Sequence, residues 1–157
     1  MIHITPASLE DAFAIAPRLR QADKDELFAV TGQTNPDIVL QDAFEMSDRV
    51  WIIKSDGEPV AIFGVVTHEQ DNTVGIPWMV GTDEIAENGI AILRSSRPWI
   101  SKLLTNFSHL INYVDARNEL HIKWLKWCGF TFTHLEQQYG YERRPFWRFE
   151  KMRQMPT

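Results

Sequence analysis

Pro59–Thr67, PVAIFGVVT, is the stretch that most limits how this chain can fold. Its apolar residues run almost without a break, whereas a strand with one wet face would alternate apolar and polar side chains. Such a strand needs cover on both faces, which predicts a central strand in a sheet between helical layers. Arg49–Lys54, containing the apolar run VWII, precedes it across Asp56-Gly57, a pair suited to a tight hairpin turn. Thr73–Val80 (TVGIPWMV) supplies a third strand after a turn at Gln70–Asn72, and Pro77 interrupts it. Proline brings no N–H to a ladder, so it marks an edge, a bulge or a place where pairing stops.

Helical periodicity takes over on either side of these strands. Ile2–Thr5 reads as an edge strand, and Ser8 as the N-cap of a helix with Glu10 and Asp11 near its positive end. Pro17 kinks or ends that helix. Helices are expected over Ala22–Val30 and Asp37–Met46, the latter opened by Asn35-Pro36. Gly81–Gly89 reads as a loop or short helix. Ile90–Leu110 has a helical pattern; Pro98 sits either in the first turn of a helix capped by Ser95 or Ser96 or at a kink in a longer helix, and a start near Ser96 after an irregular helical turn is favoured. Leu110–Asp115 then reads as a strand, Asn118–Trp127 as a helix leaving through Gly129, and Phe130–Leu135 and Arg144–Lys151 as strands around a Gln137–Arg143 loop or hairpin. The order predicts one α/β domain over residues 1–157, a central mixed sheet of about six or seven strands flanked by about four helices.

Composition removes several classes of function. A net charge of -5 argues against a nucleic-acid partner, which would call for surplus Lys and Arg. Cys128 is the single cysteine, so an intramolecular disulfide and a four-cysteine zinc site are excluded. The five histidines show no metal-ligand spacing, and no metal is expected. No apolar stretch approaches the roughly 20 residues that span a bilayer, so no membrane partner is expected. MIHITPASLED lacks the basic and apolar regions of a signal peptide, which points to a cytoplasmic protein or one assembled from cytosol into a larger particle.

The segment Asn112–Phe130, NYVDARNELHIKWLKWCGF, resembles the last cofactor-side motif of the GNAT superfamily of N-acetyltransferases. That motif is N-x-x-A-x-x-x-Y-x-x-x-G-F. Asn118 and Gly129-Phe130 match it, while His121 takes the alanine position and Leu125 the tyrosine position. The resemblance implies a GNAT-like fold, acetyl-CoA as cofactor, and transfer of its acetyl group to an amine acceptor of unknown identity. It places pantetheine where the strand holding Pro77 parts from its neighbour, beside free backbone groups at Trp78, Met79 and Val80. The family's diphosphate loop, R/Q-x-x-G-x-G/A, uses glycines so that backbone N–H groups approach the anion. Here Leu93–Trp99 lacks the glycine pair, and Arg94, Ser95, Ser96 and Arg97 offer side-chain donors instead.

Further candidates come from the residues themselves and, for Glu26, from the same resemblance. Glu26, with Asp23 one turn earlier, lies on the acceptor side, where a carboxylate binds or deprotonates an amine. Asn118 either caps its helix or turns its amide toward the cofactor. His121 suits an acid or base. Tyr139 or Tyr141 is a candidate replacement for the missing tyrosine, and His68 and Glu69 are further acid–base candidates. Asp115 and Arg117 read as neighbours that pair, and Cys128 as a small core residue. The segments PWMVGT, LRSSRPW, NYVDARN, IKWLKWCGF and RPFWRFE are similar to a narrower group, short acetyltransferase-like proteins of tailed phages related to the internal virion protein A of podoviruses. That similarity implies the host cytoplasm or the virion as location. It also raises a second class of function, a non-catalytic scaffold contacting phage or host proteins.

Overall fold

The runs that read as buried strands lie side by side in the computed structural model, which describes residues 1–154. Strands β1 (Ile2–Pro6), β2 (Arg49–Ser55), β3 (Glu58–Thr67), β4 (Val74–Gly81), β5 (His109–Asp115), β6 (Thr131–Tyr139) and β7 (Arg144–Met152) form one sheet in the order β1-β2-β3-β4-β5-β7-β6. All neighbours are antiparallel except β4 and β5, which run parallel. The helices are α1 (Leu9–Ile15), α2 (Gln21–Thr31), α3 (Pro36–Met46), α4 (Glu84–Glu87), α5 (Gly89–Asn106) and α6 (Glu119–Trp127).

Alternation along the central strands divides the core into two layers. Val50, Ile52, Ile62 and Val80 face Ala12, Ile15 and Leu40 of α1 and α3. Trp51 and Val65 face Leu103 and Leu104 of α5 on the opposite side. Both faces of β3 are therefore covered, which is why its sequence is apolar throughout. Ser8 and Asp11 form a reciprocal capping box at the start of α1, and Pro17 turns its end into a 3-10 turn over Ala16–Arg18.

Helix α5 departs from the expected start near Ser96. It begins at Gly89 and carries Pro98 inside. Proline there denies the Arg94 carbonyl a donor. The helix continues because Ile92 before the proline and Leu103 and Leu104 after it are all buried, so packing holds both halves.

The sheet opens between β4 and β5. They pair only at Val74–His109 and Gly75–Leu110, while β4 stays paired with β3, and β5 with β7, along their lengths. Beyond the fork, the Asn112 side-chain amide donates to the Pro77 carbonyl at 2.7 Å. The carbonyl and nitrogen of one strand residue point to the same side, so the Pro77 nitrogen also faces the opening. Its missing N–H costs β3 nothing, and the proline is tolerated because it borders the gap.

The far edge of the sheet reaches back to α2. After β6, Gly140 takes a positive φ of 74°, and the backbone N–H groups of Tyr141 and Glu142 donate to Val30 and Ala29 carbonyls at 3.1 and 3.0 Å. A Cβ on Gly140 would lie 2.6 Å from the Ala29 carbonyl oxygen, so this approach needs glycine. Leu110 is fully buried at the closed end of the fork. Leu110→Ala should cost about 2–5 kcal/mol in denaturant unfolding.

Candidate active site

Asp23 and Glu26 stand on one face of α2, three residues apart, and point at the end of β5 and the start of α6. Asp23 is buried. One of its oxygens accepts the Gly81 N–H at 2.8 Å, and the other accepts Arg20 Nη1 at 3.1 Å and the Asn118 amide at 3.0 Å. Glu26 Oε1 accepts the Asp115 N–H at 2.9 Å and the same Asn118 amide at 3.3 Å. Arg117 forks onto Asp115 at 2.7–3.2 Å, the pairing expected of those neighbours. Asn118 makes no side-chain cap on α6, contrary to one of its two expected roles; its amide bridges two carboxylates instead.

Above this network lies a cavity of about 290 Å³ that passes through the opening between β4 and β5. Leu27, Val30, Val39 and Ala43 line it on the α2–α3 side, and Trp99, Ile100, Leu125 and Cys128 on the α5–α6 side. Glu26, His121 and Tyr139 are the titratable oxygen and nitrogen groups among its walls, apart from Tyr113. Burial pushes the Glu26 carboxyl up to about 7, with the charges of Asp23 and Asp115 adding to it and the Asp115 N–H and Asn118 amide opposing it. The surface that Glu26 keeps belongs to the cavity wall.

His121 is buried, and burial also lowers its pKa, so it rests neutral. Its Nε2 lies 3.5 Å from Asp23 and has no hydrogen-bond partner. Leu125 follows one turn later and lines the same cavity without a hydroxyl. Tyr139 fills part of that wall, stacked on Tyr113 with ring centroids 4.4 Å apart, and burial raises its pKa. Tyr141 is exposed and packs over Gly32 and Phe28, away from the cavity. His68 and Glu69 stand at the β3–β4 turn and are not cavity residues.

The cofactor candidates distribute unevenly. Alternation on β4 turns the backbone of Trp78 and Val80 toward β3, opposite Gly64 and Ile62. Only Met79 of the three turns its N–H and carbonyl into the gap, on the same side as Pro77. Ser95 and Ser96 donate their hydroxyls to Ala91 and Ile92 carbonyls of their own helix at 2.9 and 2.7 Å. Arg97 donates to the Trp127 carbonyl at 2.9 and 3.1 Å and stacks 4.0 Å from the Trp127 ring centroid. Arg94 is exposed, without an ion-pair partner among the described residues.

A parallel pair of strands that part after two residues, with helices over both faces, decides the architecture. The fold is that of the GNAT N-acetyltransferases. The chain is similar to an N-acetyltransferase from Staphylococcus aureus, with 17% identity and a TM-score of 0.72 over 97% of this chain and 98% of that one. It is similar to a GNAT-family acetyltransferase from Streptococcus pneumoniae, with 15% identity and a TM-score of 0.62 over 97% and 99% of the two chains. A structure of AAC(6')-Ib in complex with ribostamycin and coenzyme A is likewise similar, with 12% identity and a TM-score of 0.73 over 97% and 93%. No family model and no curated protein matches the sequence. These neighbours give no support to the narrower resemblance to phage proteins.

Toward coenzyme A, the residues present fit one half of the molecule and not the other. The gap offers Met79 backbone groups and apolar walls suited to the amide-bearing pantetheine arm. The segment joining β4 to α5, Thr82–Asn88, contains no glycine pair and carries Asp83, Glu84 and Glu87, which do not suit a diphosphate.

Asn118 tests how the site is held. Asn118→Ala should lower stability by about 1–3 kcal/mol, because two buried carboxylates lose a donor. It should also raise the Glu26 pKa above about 7, since that amide holds it down; carboxyl NMR titration would measure the shift.

Proposed function

We propose that the protein transfers an acyl group, acetyl in the simplest case, from a thioester of the coenzyme A type to an amine, with Glu26 as general base. The observation that carries this is Glu26 itself, a carboxyl poised near neutral pH on the wall of a cavity that pierces the sheet at its fork. The thioester supplies the activated acyl carbon. As the amine nitrogen bonds to that carbon, Glu26 accepts the amine proton. The N–H of Met79 faces the gap and is placed to donate to the acyl oxygen, where negative charge develops.

Leu125 leaves the departing sulfur without a proton donor at that position. An alkyl thiol ionises near pH 8.5, roughly, so the thiolate departs without obligatory protonation and takes a proton from solvent. His121, neutral at rest, has a lone pair to accept a proton but no surplus proton to give. Its proposed part is to receive a proton beside Glu26. Apolar walls at Leu27, Val30, Val39 and Ala43 favour an acceptor amine carried on an apolar body.

Acetyl-CoA with an aralkylamine such as 2-phenylethylamine tests this through thiol release. The rate should rise as pH increases through about 7, as Glu26 loses its proton. Glu26→Gln should lower kcat/KM by about 10²–10⁴-fold and abolish that rise.

Stability should move the other way. An unfolded Glu ionises near 4.5 and the folded Glu26 near 7, so the native state holds an extra proton between those values. Stability contributed by this group therefore falls as pH rises across that window. At pH 8, Glu26→Gln should be more stable than the native chain by on the order of 1–3 kcal/mol in urea unfolding. A variant that is both inactive and more stable would separate a site role from a structural one.

A further inference from the structure

We infer that the acyl donor is recognised through its pantetheine arm alone, with whatever extends beyond that arm lying in solvent unheld by this chain. This rests on the acyl-transfer reading above and names the donor class, an acyl-pantetheine thioester.

The segment between β4 and α5 is where a backbone cradle for a diphosphate would have to form. Four of its N–H groups are already committed. Thr82 N–H goes to Val60, Ile85 to Thr82, Ala86 to Asp83 and Asn88 to Glu84, all at 2.9–3.4 Å. Gly81, which closes β4, is filled by the chain itself, since a Cβ there would lie 2.6 Å from Ile85 Cδ1. Ile85 is fully buried, so the short helix α4 is plugged into the core instead of leaving a concavity.

Charge opposes an anion at the same place. Asp83 and Glu87 are exposed and form no ion pair among the described residues. Glu84 is paired with Arg18 at 3.1 Å, which occupies that guanidinium. A diphosphate near three carboxylates meets repulsion that exposed Arg94 alone does not offset. The other donors suggested by the sequence are spent: the Ser95 and Ser96 hydroxyls on their own helix, and Arg97 on the end of α6.

The arm meets the opposite situation. With the Met79 N–H given to the acyl oxygen, its carbonyl remains facing the gap to accept an amide N–H of the arm, between apolar walls from α5 and α6. Either thioester then gives the same balanced reaction. The C–S bond breaks, a C–N bond forms, and the amine proton leaves with Glu26 while the thiol is released.

The experiment compares S-acetylpantetheine with acetyl-CoA on the intact chain, using one amine acceptor. Titration calorimetry with pantetheine and with coenzyme A measures binding without turnover. The expected result is kcat/KM and Kd values within about threefold of each other for the two forms. Coenzyme A favoured by more than threefold in Kd overturns the inference, as does failure of pantetheine to bind. Equal binding of both without acetyl transfer supports the donor class while overturning the catalytic reading.

Discussion

The side-chain amide of Asn118 is the point on which this structure turns. Two carboxylates of one helix, Asp23 and Glu26, are carried into the protein together, and buried like charges need donors or protons. Asn118 gives a single amide nitrogen to both, while Gly81 and Asp115 give backbone N–H groups and Arg20 a guanidinium. Asp23 collects three donors, whereas Glu26 takes two and keeps an oxygen toward the cavity; burial raises the proton affinity of Glu26, and its two donors only partly offset that.

That network has a cavity to serve only because the sheet is forked. A closed β4–β5 ladder would bury Met79 in a hydrogen-bonded pair and leave no passage. Asn112 spans the opening onto Pro77, so the two strands are separated yet tied. Proline at the rim and an amide across it therefore act as one device: the first removes a donor that would favour pairing, and the second fixes how far the strands part.

Much of the scaffold was legible because it rests on local chemistry. The unbroken apolar run of Pro59–Thr67 identified a doubly covered strand, and Pro77 marked where pairing would stop. Glu26 was put on the acceptor side by resemblance, yet its pKa is raised by burial and held down by the Asp115 N–H and the Asn118 amide, which no local pattern links to it. The start of α5 was misplaced because Pro98 usually belongs in a first turn, and here burial on both sides of it overrides that preference. Ser95 and Ser96 looked like anion donors, but a helical serine always has its own carbonyl four residues back within reach. Tyr139 and Tyr141 could not be told apart by spacing. The left-handed turn at Gly140 sends one ring into the cavity and the other out over Gly32.

The distance along the chain between the halves of the site has a consequence for how the protein is made. Asp23 and Asn118 are 95 residues apart, and the α2 end bearing Ala29 and Val30 is clasped by the hairpin at Tyr141 and Glu142. An emerging nascent chain has its acidic helix long before it has the amide, the fork or the clasp. Closing loops of that length is slow and comes late in folding. The pair of carboxylates therefore waits in water, ordinary and ionised, until nearly the last strand has left the ribosome, and only then is one of them given its unusual proton.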